Sequence, residues 1–135
     1  MLTGATGSGK TSLLESIAGL SQHFHAGFAT GTLTLGTIDR LRVPPRDTAA
    51  LIGFVPQNVR LSFTASTARE ELEFTLRLHG ETKELIPSRV DELLSEYGLR
   101  DYADVPVDLL SAGQATRVAL ASALAASIRS SASRR

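Results

Sequence analysis

The stretch GATGSGKTSLL near the start of the chain constrains the fold more than any other part of the sequence. Gly4, Gly9, Lys10 and Thr11 fit the spacing G-x-x-x-x-G-K-[ST], and Gly7 adds a flexible position between them. Glycines let consecutive backbone N–H groups point into one concavity, and the helix that follows adds the positive end of its dipole. The pattern therefore predicts a loop that holds a polyphosphate ahead of an α-helix.

The residue types in this loop predict a role for the side chains as well. Lys10 is placed to reach the β- and γ-phosphates as a point charge, and Thr11 to offer its hydroxyl to Mg²⁺. The alternative is a glycine-rich turn ahead of an unrelated helix. The predicted ATP-binding residues of this loop are Gly4, Thr6, Gly7, Ser8, Gly9, Lys10, Thr11 and Ser12.

Short elements are predicted between the loop and residue 66. The apolar spacing in KTSLLESIA indicates a helix, which Gly19 is expected to end. Alternation in GTLTLGTIDRLRV predicts a small β-hairpin. The apolar run LIGFVPQN, closed by Pro56, predicts a buried strand, so Gln57 is expected just beyond a strand end.

Helical patterns dominate the rest of the chain. Thr67 and Glu70 have the spacing of a capping box, which predicts that TAREELEFTLRLH is a helix. Ser88 and Asp91 predict the start of a second, amphipathic helix, and Gly98 lies where its C-terminal cap is expected.

A third helix is predicted to begin at Ser111, and its apolar character over residues 118–126 predicts burial. Residues 128–135 are polar and basic, which predicts an irregular tail. The change in character near Ser66 divides the chain into residues 1–66, with the loop, hairpin and Gln57, and residues 67–135, a helical subdomain with its tail.

Composition excludes several function classes. The length of 135 residues suits one domain, and the formal net charge of zero argues against a generic nucleic-acid partner. The absence of cysteine excludes disulfides and thiolate metal sites. No apolar run approaches the roughly 18 residues of a membrane span. A cytoplasmic chain is therefore expected.

Three segments, in chain order, resemble the motifs of the ATP-binding-cassette (ABC) transporter family. The glycine loop matches its P-loop, Gln57 in GFVPQN matches its glutamine loop, and LLSAGQ matches its LSGGQ signature with Ser111, Gly113 and Gln114. The first signature glycine of the family is Ala112 here. The resemblance implies an α/β fold, a P-loop NTPase core of ABC type with a small β-hairpin region and a helical signature subdomain.

The resemblance also implies a function and partners. The chain is expected to be the ATP-binding subunit of a transporter, bound to the inner face of the membrane through transmembrane subunits. ATP and Mg²⁺ are the implied cofactors, with Thr11 and Gln57 near the metal. Ser111, Gly113 and Gln114 would contact ATP held by a second ABC subunit, identical or related. Energy-coupling-factor and cobalt-type importers are the most similar subfamily.

The sequence holds no candidate for the acidic catalytic residues of the family. Its last acidic residue is Asp108, whereas the family places an Asp and a Glu, and then a histidine, after the signature helix. We therefore expect these residues to form a piece of an ABC domain that is shortened at both ends and hydrolyses little ATP. A frameshift or premature end of the gene is our hypothesis for the Ser/Arg tail.

Two other function classes remain open on the sequence alone. A non-catalytic regulatory module could use the same two motifs only to dimerise around ATP. A small kinase or GTPase would share only the P-loop, although the sequence lacks the N/T-K-x-D motif of guanine recognition.

Overall fold

The computed structural model describes residues 2–21, 28, 30–48 and 51–132. The chain packs as two compact units, Met1–Ile52 and Gly53–Arg135. The first unit carries the glycine loop and the second carries Gln57 and the signature. The division of the chain near residue 66, which rests on a change in sequence character, stays a prediction.

The first helix of the N-terminal unit, α1, spans Lys10–Ala18, as predicted. Gly9 precedes it with φ 84° and ψ 9°, and Gly19 follows it with φ 81° and ψ 8°. Both residues lie in the left-handed region, which favours glycine. The two glycines therefore set the limits of the helix that leads away from the loop.

The predicted hairpin is confirmed and is tied to α1 by a buried arginine. Strands β1 (Thr34–Leu35) and β2 (Ile38–Asp39) pair antiparallel, Thr34 opposite Asp39. Arg40 follows β2 and donates from Nε to the carbonyl of Ile17 at 3.0 Å and from Nη2 to that of Ala18 at 2.9 Å. Its positive charge meets the negative end of α1. A short helix, α2 (Pro45–Thr48), completes the described part of this unit.

In residues 53–132, the described part of the second unit, three helices pack together. They are α3 (Ala68–Leu78), α4 (Ile86–Glu96) and α5 (Ala112–Ala132), with 3₁₀ turns at Val59–Ser62 and Arg100–Tyr102. The apolar faces of the three helices form one core, whose most deeply buried side chains include Leu72, Val90, Leu93, Leu94, Leu99 and Val118. Burial of these faces is the main favourable contribution to the packing of this unit.

Ion pairs of Arg69 join α3 to its neighbours at the surface. Its Nε lies 2.9 Å from a carboxylate oxygen of Asp104, and its Nη1 lies 3.0 Å from one of Asp91 in α4. Hydrogen bonds to Asp104 and then to Asp91 raise the pKa of Arg69. The guanidinium of Arg69 therefore links α3 to α4 and to the segment around Asp104.

Helix α3 begins with the predicted capping box. The Thr67 hydroxyl accepts a hydrogen bond from the Glu70 amide at 3.2 Å, and the Glu70 carboxylate accepts one from the Thr67 amide at 3.2 Å. Two amides that the helix itself leaves unpaired are thereby satisfied.

Replacing Thr67 by Ala is expected to lower the free energy of unfolding by about 1 kcal/mol, because the Glu70 amide loses its acceptor. Urea denaturation of the full chain, followed by circular dichroism, measures the change. Ser66→Ala, at the neighbouring exposed position, serves as the control. Equal effects of the two substitutions would contradict the role of the cap.

The strand predicted for LIGFVPQN is wrong. Residues 51–58, all of which the structure describes, hold no strand. Instead, this segment packs against helices: Val55 joins the core, and a Cβ on Gly53 would come within 3.0 Å of the carbonyl oxygen of Ala123 in α5. An apolar run indicates burial, and here the burial is against helices without a hydrogen-bonded strand partner.

The boundaries of two helices also differ from prediction. Helix α4 begins at Ile86, ahead of the predicted start at Ser88, because Pro87 favours the first turn. The Ser88 hydroxyl donates to the carbonyl of Leu85 at 2.9 Å and caps no amide there. Helix α5 continues to Ala132, into the segment predicted to be irregular.

The predicted burial of α5 is found on only one face of the helix. Val118, Ala121 and Ala125 are buried, whereas Leu120 and Leu124 are exposed. In the part of the chain that the structure describes, no helix has the length and apolar character needed to span a membrane.

Candidate functional site

The glycine loop forms an exposed turn ahead of α1. Gly7 and Gly9 have φ values of 83° and 84°, and the Ser8 amide donates to the carbonyl of Ala5 at 3.2 Å. A Cβ on Gly7 or Gly9 would meet nothing within 4 Å. The two glycines are therefore required by backbone conformation, and the space beside them is open to a ligand.

Lys10 folds back over this turn. Its Nζ donates to the carbonyl of Gly4 at 2.8 Å, to the carbonyl of Ala5 at 2.6 Å and to the Ser8 hydroxyl at 3.2 Å. An ammonium group has three N–H donors, so all of them have acceptors in the loop. These bonds hold the positive charge of Lys10 in a defined position at the loop.

The start of α1 presents backbone amides beside this charge. Gly9 has no side chain to cap them, and the first bond of the helical type runs from the Leu13 amide to the carbonyl of Gly9 at 3.0 Å. The amides of the first turn therefore lack intrahelical acceptors. The Thr11 hydroxyl is on an exposed residue of the same turn. Amides, a lysine and a hydroxyl together fit a phosphate group with a coordinated Mg²⁺.

The second predicted site lies at the start of α5, at residues 111–114, which we call the signature cap. The Ser111 amide donates to Oε1 of Gln114 at 2.7 Å, and the Gln114 amide donates to the Ser111 hydroxyl at 3.3 Å. This reciprocal pair is a capping box. The Ser111 hydroxyl accepts one bond in the cap, and its own hydrogen can serve a phosphate oxygen.

Gly113 and Gln57 lie at exposed positions of the same unit. A Cβ on Gly113 would meet nothing within 4 Å, so the surface beside the signature cap is open. Ala112, which replaces a glycine of the family motif, is also exposed. The structure thus places the loop residues 4–12 together in one unit, and Gln57 with the signature cap in the other.

Sequence reasoning missed two charged residues around these segments. Arg60 donates from Nη1 to the carbonyls of Val107 and Asp108, each at 2.8 Å, and from Nη2 to that of Leu110. Glu71 is buried, and its carboxylate accepts bonds from the amides of residues 64 and 65. A signal for Glu71 was available, since it is an acidic residue among the apolar positions of α3.

The loop, its folded lysine and the uncapped helix have the arrangement of a P-loop nucleoside triphosphatase. A family model described as "ABC transporter" matches residues 1–129. The chain belongs to this family, and that membership implies the P-loop NTPase fold. The helices and the small sheet of the structure are compatible with this fold.

Curated relatives agree with this assignment. A putative ABC transporter ATP-binding protein of Streptomyces avermitilis is 34% identical over 124 residues, covering 92% of this chain and 22% of that protein. The sulfate/thiosulfate import ATP-binding protein CysA of Mycobacterium tuberculosis is 41% identical over 124 residues, covering 92% of this chain and 33% of that protein. The chain thus spans a third or less of the length of these two relatives.

Proposed function

We propose that this chain is the ATP-binding part of an ABC transporter. The arrangement of Lys10 carries the proposal: three bonds hold its ammonium group at a glycine turn, and the space beside Gly7 and Gly9 is open. A triphosphate concentrates negative charge, and both the ammonium and the start of α1 favour such an anion.

Each predicted residue has a role in this proposal. The backbone amides of the loop surround the phosphates, Lys10 exchanges one of its bonds to the loop for a phosphate oxygen, and Thr11 holds Mg²⁺. Gln57 stays a predicted ligand of the metal, as the family resemblance implies. The cation, once bound, neutralises charge between the β- and γ-phosphates. We propose that the following residues contact the nucleotide of their own subunit or of the second one: Gly4, Thr6, Gly7, Ser8, Gly9, Lys10, Thr11, Ser12, Gln57, Ser111, Gly113 and Gln114.

The signature cap supports a second step, closure of two subunits around ATP. Its exposed amides at the start of α5 and the Ser111 hydroxyl suit the γ-phosphate held by a second copy or a related subunit. Ala112 adds one methyl group to this surface, and we expect weakened rather than abolished contact. The names of the relatives, ATP-binding proteins of transporters, support ATP as the ligand.

The proposal extends to transmembrane subunits as partners and to a position on the cytoplasmic face of the membrane. Membership of the energy-coupling-factor or cobalt-type subfamily stays a prediction. No acidic residue follows Gln114, so we propose that these 135 residues bind MgATP and hydrolyse little of it.

Titration of the full chain with MgATP, MgADP and MgGTP tests the proposal. We expect calorimetry to show saturable binding of MgATP, and sedimentation to show dimers with MgATP and monomers with MgADP, because only ATP offers a γ-phosphate to the signature cap. Absence of MgATP binding would contradict the proposal. Selective binding of MgGTP would favour the kinase or GTPase alternative, and ATP-bound dimers that no membrane subunit affects would favour the regulatory module.

A further inference from the structure

The segment that follows Gln57 runs beside the segment that precedes the signature cap. At the end of this contact that lies away from Gln57, the Val107 amide donates to the carbonyl of Ser66 at 2.9 Å. Thr67 and Pro106 form an antiparallel bridge next to it. Two stretches that are distant in sequence are therefore joined by backbone hydrogen bonding.

Arg60 joins the same two segments at the end nearest to Gln57 and Ser111. It lies in the 3₁₀ turn Val59–Ser62, directly after residues 57 and 58. Its guanidinium donates to three carbonyls of residues 107–110. A planar guanidinium holds several acceptors in a fixed geometry, which an alkylammonium group does not reproduce.

One of these bonds acts directly on the signature cap. The carbonyl of Leu110, which accepts from Arg60, and the amide of Ser111, which donates to Gln114, belong to the same peptide group. A peptide group is planar and rigid, so fixing its oxygen also fixes the direction of its N–H. Arg60 and Gln114 therefore hold the two sides of the peptide that orients Ser111.

Glutamates restrain the chain between these two ends. The buried Glu71 carboxylate accepts from the Thr64 amide at 2.8 Å and from the Ala65 amide at 2.9 Å. Glu70 accepts from the Ser66 amide at 3.1 Å. Because their amides are bound in this way, residues 64–67 have little freedom to move separately from α3.

We propose that Arg60 is a positioning residue that sets the orientation of the signature cap. Resting on the proposed function, this inference names the residue that prepares Ser111 to meet the nucleotide held by the second copy. Arg60 itself contacts carbonyls and acts on the nucleotide only through Ser111.

Amide hydrogen exchange of the full chain without nucleotide tests the positioning role. Arg60→Ala is expected to speed exchange at residues 107–114 by about tenfold, from the loss of charge-assisted hydrogen bonds. Arg60→Lys should give a smaller increase, and Arg77→Ala, which removes an exposed arginine paired with Glu73, should leave exchange there unchanged. Equal protection in Arg60→Ala and wild type, or acceleration spread evenly over α3 and α4, would overturn the proposal.

Nucleotide measurements on the same variants test what the positioning role does to dimerisation. We expect Arg60→Ala to weaken MgATP-dependent dimerisation by about tenfold while the affinity of the dilute monomer for MgATP changes less than about twofold. Unchanged dimerisation in this variant would overturn the inference. If wild type binds no MgATP, the proposed function fails, and the exchange result still decides the positioning role.

Discussion

Replacing Lys10 by Ala is expected to lower the affinity of the chain for MgATP roughly a hundredfold, or about 2.8 kcal/mol. The ammonium group supplies the full positive charge within the glycine loop, and its bonds to Gly4, Ala5 and Ser8 hold it there. Its removal leaves only backbone amides and hydroxyls for the phosphates. Calorimetric titration of wild type and variant with MgATP measures the difference.

The chain offers a matched control for this substitution. Lys83 is the other lysine of the sequence and lies at an exposed position of the helical unit. Lys83→Ala removes the same net charge and should leave the affinity unchanged within about twofold. Lys10→Met, which keeps the aliphatic stem, should lose affinity as Lys10→Ala does. A similar loss in Lys83→Ala would mean that ATP responds to net charge and that the loop is not its site.

Replacing Leu72 by Ala is expected to lower the free energy of unfolding by about 3 kcal/mol, because it removes buried methyl groups and leaves a cavity. Leu72 lies on the inner face of α3 with 0% of its surface exposed. A loss of this size is a large share of the stability of a small domain. Urea denaturation followed by circular dichroism measures it.

Leu78 provides the comparison on the same helix. It is the last residue of α3 and is 68% exposed. Leu78→Ala makes the same chemical change and should cost less than about 0.5 kcal/mol. If both variants lost the same stability, helix propensity rather than core packing would be the cause, and the three-helix core described above would be wrong.

Much of the local structure was predictable because its signals lie within a few residues. Thr67 and Glu70 satisfy each other's amides across one turn, so their spacing alone predicts the start of α3. Gly19 ends α1 through its own backbone conformation. The strand predicted over residues 51–58 was wrong because a strand needs a hydrogen-bonded neighbour. An apolar run does not show whether the neighbour against which it packs is a strand or a helix.

The candidate sites, like the local structure, were predictable where their signals lie close together in the chain. Lys10 and Ser111 were recognisable because loop, helix start and side chain are adjacent in the chain, and short-range geometry follows from short-range spacing. The ABC family membership predicted from these motifs is confirmed by the family model. The role of each residue toward nucleotide stays a prediction.

Tertiary structure alone decided where the arginines act. Arg40 and Arg60 look like ordinary surface cations in the sequence. Folding brings Arg40 against the end of α1, 22 residues earlier in the chain, and Arg60 against the carbonyl of Leu110, 50 residues later. Backbone carbonyls carry no mark in the sequence, because every residue has one. Only the packing of distant segments determines which carbonyls accept hydrogen bonds from a guanidinium. It therefore also determines which contacts hold the signature cap in place.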